Sequence, residues 1–391
     1  MKPRRVRVWL TTFATLAIVA AACGDGGGDG GDGGDGGDGG GGSIWVLLPD
    51  TESSPRWEED DRRFFGEKFE AAGLAEGEDF NIVNAENDPA TQQSQAEQAI
   101  ADGASVIVLT SIDTGSGAAI IDQAIEAGVE VVEYDRFNTG GAGGAAYVSF
   151  DNVAVGATMA EVLEPEIDAL PADPKQVVEL NGGEEDNNSF LFKEGYDTVV
   201  QEHVDAGDWE LVADQHVPGW DNQEAQTIME QILVDVNNNV DAVFAANDGL
   251  AASAINAMEA AGVGPVPVSG QDATAVGIQN ILLGKQTMTV YKPIESEVEV
   301  AAAVALALRA GEDITAIDVE ADYELIGIEA ETGQPAESAE GEGIVPYFGL
   351  TPIAVTADNI ADTVIADEFR TIEEICTGDV QDTEFCQENS A

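Results

Sequence analysis

The sequence predicts an α/β fold built of two doubly wound parallel-sheet lobes. Three observations carry this expectation. Apolar, β-branched runs alternate with amphipathic helical stretches along most of the chain. Hydrophobic residues make up 44% of the 391, enough for a large core, so the strong acidity is not a sign of disorder. The length fits two domains at roughly 100–200 residues each. The first strand series is 44–48 (IWVLL), 80–84 (FNIVN), 105–110 (SVIVLT), 129–134 (VEVVEY) and 146–150 (AYVSF). The second is 176–180 (QVVEL), 209–213 (WELVA), 241–246 (DAVFAA), 266–269 (VPVS) and 286–291 (QTMTVY). Helical patterns occupy 57–73, 91–102, 116–127, 152–167, 189–206, 222–238, 248–261 and 294–310. Continuous apolar strands between such helices mean parallel sheets covered on both faces.

The N-terminus reads as a targeting segment. Residues 1–8 (MKPRRVRV) are basic, and 9–22 (WLTTFATLAIVAAA) are apolar and end on small residues, the pattern of a signal peptide over 1–22. This run is too short to span a bilayer comfortably, which takes about 20 residues. Cys23 follows Ala20-Ala21-Ala22 and precedes Gly24, which resembles a bacterial lipobox. The resemblance implies lipidation of Cys23 and anchoring at the outer face of the cell membrane. Residues 24–42 hold only Gly and Asp, so 23–43 is a lipidated Cys with a flexible linker. The GGDGGD run lacks the apolar residue that a calcium-binding solenoid repeat needs.

Charge narrows the partners. The net charge is −60, with 15 Lys+Arg against 75 Asp+Glu. Removing the signal peptide takes Lys2, Arg4, Arg5 and Arg7 and no acid, leaving the mature chain more acidic still. Nucleic acid is excluded as a partner, because its phosphates demand clustered cations. Docking on anionic lipid through basic patches is excluded likewise. Such a surface suits high salt, where charge is screened within about 3 Å at 1 M.

Enzyme and metal signals are weak. Asp113-Thr114-Gly115-Ser116 is similar to an aspartic-protease fragment, but no second copy supplies the partner carboxylate. No G-x-G-x-x-G follows the first strand, and there is no phosphate-binding Walker loop. His203 and His216 show no ligand spacing, so neither a metal nor a cofactor is expected. Cys376 and Cys386 form an even leftover pair, which in an exported chain favours a disulfide.

Open parallel sheets bind ligands beyond the carboxyl ends of their strands. Asp50, Arg56 and Trp57 follow the first predicted strand, and Ser111 and Asp113 follow the third. Asp135 and Arg136 come after 129–134, and Asp186, Asn187 and Asn188 after 176–180. Gly219 and Trp220, Asn247 and Asp248, Gln271 and Asp272, and Lys292 follow the later strands. Carboxylates, carboxamides and a guanidinium each engage adjacent hydroxyls, and indole rings cover the C–H face of a sugar. This set fits a neutral polyol. Arg56, Arg136 and Lys292 stand at strand ends in a chain that otherwise avoids cations.

Several segments carry a resemblance. They are Arg56-Trp57, EYDRF (133–137), YVSFDN (147–152), NGGEEDNNSFLF (181–192), VPGWDNQEA (217–225), AANDG (245–249), VSGQDATAVGIQNILLGKQTMTVYKPI (268–294) and TPIAVTADNIADTVI (351–365). On these the chain resembles the sugar-binding proteins of ABC importers, of the type I periplasmic-binding fold, and among them the D-xylose-binding proteins. The resemblance implies two Rossmann-like lobes around a ligand cleft, joined by three crossings near 150–152, 292–294 and 315–320. Residues 44–150 plus 293–316 then form the N-terminal lobe, 151–292 plus 317–368 the C-terminal lobe, and 369–391 a tail. It implies an aldopyranose held by Arg56, Asp135, Arg136, Asn188, Asn247, Asp272 and Lys292, with Trp57 and Trp220 as aromatic walls and Asn187 and Gln271 as lesser candidates. It also implies a monomeric binder, not an enzyme, that delivers its sugar to a membrane permease. Pro55 and the stretch LLPDTESSPRW look more like relatives that bind several aldoses, glucose and galactose among them. The acidic stretch 313–344 matches poorly and is assigned no role.

Overall fold

The computed structural model describes residues 41–389, apart from Glu52 and Glu337. The predicted signal peptide, Cys23 and the linker up to residue 40 lie outside the described residues. The first half runs β1 (Ser43–Leu48), α1 (Arg62–Ala71), β2 (Phe80–Asn84), α2 (Pro89–Ala101), β3 (Ala104–Leu109), α3 (Thr114–Glu126), β4 (Glu130–Tyr134) and β5 (Ala146–Phe150). Then follow α4 (Asn152–Asp168), β6 (Lys175–Asn181), α5 (Asn187–Ala206), β7 (Trp209–His216), α6 (Asn222–Asp235), β8 (Ala242–Ala245), α7 (Asp248–Ala261), α8 (Ala275–Leu282), β9 (Thr289–Tyr291) and α9 (Ile294–Ala310). The chain ends with β10 (Tyr323–Glu329), β11 (Pro335–Ala336), β12 (Ile344–Leu350), β13 (Ile353–Val355), α10 (Ile372–Ile375) and α11 (Glu384–Asn389).

The first sheet has the order β11-β10-β12-β5-β4-β3-β1-β2. Its central strands are parallel and largely apolar: Ile44, Val46, Leu47 and Leu48 of β1 and Val106 to Leu109 of β3 are completely buried. Helices cover both faces, so such strands need no polar side. The second sheet is β7-β6-β8, all parallel, and isolated parallel bridges carry it on through Val268 and Gln271 to the antiparallel pair β9 and β13. The predicted strand 266–269 shrinks to a bridge because Pro267 has no N–H to give a ladder. Residues 286–288 are likewise outside β9.

One expectation is corrected. The acidic stretch builds an antiparallel hairpin at the edge of the first sheet: β10 pairs with β12, and β12 pairs in parallel with β5. Residues 323–350 therefore side with the N-terminal sheet, not with the C-terminal lobe. The third crossing falls between β12 and β13, at residues 351–352, rather than at 315–320. The other two crossings lie between β5 and α4 and between β9 and α9.

Helix starts follow the sequence. Asp88, Asp113, Asp151, Asp186, Asp221 and Asn247 each accept a backbone N–H at the first turn of α2 to α7. These caps sit where strand ends turn into helices, so two of them, Asp186 and Asn247, are also cleft residues. In the tail, Cys376 and Cys386 are joined in a disulfide. Gln279 of α8 donates to the carbonyl of Ile375, which ties the tail to the second lobe.

Candidate functional site

The carboxyl ends of both sheets face one gap. Its lining includes Arg56, Trp57, Asp135, Arg136, Asn188, Trp220, Asn247, Asp272 and Lys292, all nine of the residues singled out from sequence, together with Gln271. Asn187 stands outside the lining. Sequence reasoning missed Ser53, Ser54 and Phe192. The two serines lie in the β1 loop that was read for Arg56 and Trp57, and Phe192 stands one helical turn beyond Asn188.

Asp135 is the electrostatic centre. Its Oδ2 accepts from Arg56 Nη1 at 2.9 Å and from Lys292 Nζ at 3.1 Å. Burial alone would raise this carboxyl, but Lys292, Arg56 and Arg136 outweigh burial and hold it well below the usual carboxylate range. Arg56 spends most of its donors within the protein. Nε and Nη2 clamp Asp61 at 3.0 and 2.8 Å, and Nη2 also reaches Glu297 at 3.1 Å. Burial, then the neighbouring Asp135, pushes Glu297 up to about 8. Arg56 thus lines the cavity but works mainly as a strut beneath Asp135.

The gap is closed by bonds between the lobes. Arg136 Nε pairs across the gap with Asp186 at 2.9 Å, while Arg136 Nη1 anchors the side chain in its own lobe by donating to the carbonyl of Ser111 at 2.9 Å. Asn188 Nδ2 donates to the carbonyl of Asp135 at 2.9 Å, and Asn247 Nδ2 to that of Ser53 at 3.2 Å. Arg370 joins the carbonyl of Ala273 to the Asp60 carboxylate, each at 3.1 Å. In this closed state the cavity is about 30 Å³, room for a water or two. A larger ligand enters only when the lobes part.

The walls are aromatic and polar. The Arg56 guanidinium lies 4.2 Å over the Trp57 ring, and Trp57 Nε1 donates to Ser53 Oγ at 3.2 Å. Trp220 packs edge-on to Phe192. Four lining atoms are buried and make no hydrogen bond within the protein: Arg136 Nε, which is ion-paired with Asp186, and Ser54 Oγ, Trp220 Nε1 and Gln271 Oε1, which have no partner. Buried polar atoms are rarely left so, and here they sit around one cavity. Asp135, Trp220 and Asp272 also hold left-handed backbone at φ 62°, 54° and 93°. Non-glycine residues in that region cost energy and cluster at ligand sites.

A family model described as a periplasmic binding protein domain matches residues 45–313. The chain belongs to that family. This binding protein is 36% identical over 317 residues to the D-xylose-binding periplasmic protein of Escherichia coli strain K12, covering 80% of the chain and 87% of that relative. Two solved structures, an ABC transporter solute binding protein and a carbohydrate transporter solute binding protein, are each 26% identical and cover 85% of the chain. One, from Clostridium phytofermentans, contains β-D-glucose, with a TM-score of 0.72 over 99% of its length. The other, from Chloroflexus aurantiacus, is in complex with D-glucose, with a TM-score of 0.73 over 97% of its length. These relatives are substrate-binding proteins, not enzymes, and the two-lobed binding-protein fold is common to all of them.

Proposed function

We propose that this protein captures a neutral aldopyranose outside the cytoplasm, D-xylose first among them, and hands it to the membrane permease of an ABC importer. Lipid on Cys23 tethers it, and it works as a monomer. The observation that carries the reading is the convergence of nine strand-end residues and three unpaired buried polar atoms on a single interlobe cavity. Ring hydroxyls are donors and acceptors at once. They can accept from Trp220 Nε1 and donate to Gln271 Oε1, while Asp135 and Asp272 accept from adjacent hydroxyls. The Trp57 and Trp220 rings cover the C–H faces.

Capture follows from hinge motion at the three crossings, the behaviour for which periplasmic binding proteins are a standard example. Opening breaks Arg136–Asp186 and Asn247–Ser53, and closure on a sugar remakes them around it. Each hydroxyl bonded to a charged group contributes about 1.5–3 kcal/mol, and leaving such a group unpaired costs a similar amount. Selectivity for hydroxyl pattern follows. Micromolar affinity needs about −8 kcal/mol net, within reach of several such bonds.

A second reading, a binder of glucose or of several aldoses, is favoured by the glucose-holding solved structures and by Ser53-Ser54-Pro55 beside the cavity. A sensor that presents the same sugars to a receptor would use the same cleft. Calorimetry with xylose, glucose, galactose and arabinose tests both readings. Wild type should bind at least one at micromolar Kd, and Asp272→Ala and Arg136→Ala should each lose at least about 100-fold, the effect of removing one or two charged hydrogen bonds. Unchanged affinity in either variant would defeat the site assignment.

A further inference from the structure

A second cavity of about 260 Å³ lies against the cleft and shares four of its walls, Ser53, Ser54, Asn247 and Asp272. In the same structure it is far larger than the closed cleft. It reaches solvent beside Val276, which is 52% exposed. The Ser54 hydroxyl, buried and without a protein partner, lines both spaces.

The geometry points to an annexe that receives a neutral substituent carried on the gripped sugar ring, up to a second pyranose. This inference rests on the proposed capture of an aldopyranose. The class of substituent follows from the walls. Asp272 is the acidic side chain shared with the cleft and no Lys or Arg among the described residues lines the annexe, so an anionic group is repelled. The Asp248 side chain is spoken for, accepting from Gln286 at 2.8 Å and from the backbone N–H and hydroxyl of Thr274 at 2.8 and 3.0 Å. Asp272 in turn lies 4.0 Å from Lys292, so a cation would meet acidic groups that already have partners. Pro55, Ala252 and Val276 supply apolar surface, and Ser54 supplies one hydroxyl at the threshold. A pyranose with its hydroxyls toward solvent and its C–H face toward these residues suits such a surface.

The test compares one-ring with two-ring sugars by calorimetry: xylose against xylobiose, and glucose against cellobiose and gentiobiose. These disaccharides present attachments through O1, O4 and O6. The annexe is plugged with Val276→Trp and, separately, Ala252→Phe, neither of which lines the cleft. Wild type should bind at least one disaccharide within tenfold of its monosaccharide. Each plug should weaken that disaccharide at least tenfold and the monosaccharide less than twofold. All disaccharides binding more than 100-fold weaker than the monosaccharide in wild type would overturn the annexe, as would plugs that weaken both ligands equally. Binding of no sugar at all would instead refute the aldopyranose reading.

Discussion

Arg56 and Asp272 line the same cavity and are expected to fail differently when removed. Asp272 lines the cavity with its backbone N–H bonded to the Val290 carbonyl and its carboxylate 4.0 Å from Lys292, which keeps the nearer Asp135 at 3.1 Å, so the loss of Asp272 should be felt by the ligand. Arg56 is 2% exposed and holds three buried acidic side chains, the carboxylates of Asp61 and Asp135 and the Glu297 carboxyl. Removing one partner of a buried ion network leaves charge uncompensated and costs about 3–5 kcal/mol. Arg56→Ala should therefore lower the melting temperature by many degrees in the absence of any sugar, whereas Asp272→Ala should not. An Arg56→Ala protein that melts like wild type would remove the strut role. The sequence marked Arg56 as a scarce cation at a strand end. Its partners were not legible, because Glu297 is 241 residues away and meets it only when α9 packs beside the loop after β1. Asp61 was hidden in plain view, five residues on in a stretch read only as helix.

At the scale of elements, α4 and α5 approach most closely through two glycines. A Cβ on Gly156 would lie 1.9 Å from the Phe192 carbonyl oxygen, and one on Gly195 2.2 Å from that of Val153. Both obstacles are backbone and cannot swing aside. Gly156→Ala and Gly195→Ala should each destabilise the fold by about 1–3 kcal/mol or more through overpacking. Gly66 in α1 has open space where its Cβ would go, so Gly66→Ala should stabilise by about 0.5–1 kcal/mol. Urea denaturation of the three variants checks the ordering; a neutral Gly156→Ala would mean that the helices can slide apart. Helices and parallel strands were legible here because their periods and Asp caps are local. The hairpin β10–β12 was not. It is antiparallel, sits at a sheet edge, and lies in an acidic stretch with Gly333, Pro335, Gly341 and Gly343 breaking its pattern. Its strand character comes from its neighbour β5, not from its own alternation.

For the whole molecule, charge sets the terms. Of the few cations, Arg56, Arg136, Lys292 and Arg370 are buried in ion pairs, so the surface is left overwhelmingly acidic. Self-repulsion of a net −60 opposes the compact state, and screening relieves it: the Debye length falls from about 10 Å at 0.1 M salt to about 3 Å at 1 M. The melting temperature should therefore climb steadily with NaCl over that range. Replacing a set of exposed acids such as Glu70, Glu97, Glu202 and Glu230 by Gln should raise the low-salt melting point and flatten the climb. Affinity should behave otherwise. The charges that meet the ligand are buried and paired, hence poorly screened, and the proposed ligand carries no charge of its own. Kd for the best monosaccharide should shift less than about threefold between 0.1 and 1 M NaCl while stability changes markedly. A Kd that weakens steeply with salt would mean that the cleft takes a charged ligand. A melting temperature indifferent to salt would mean that the acidic surface exerts no net strain on the fold.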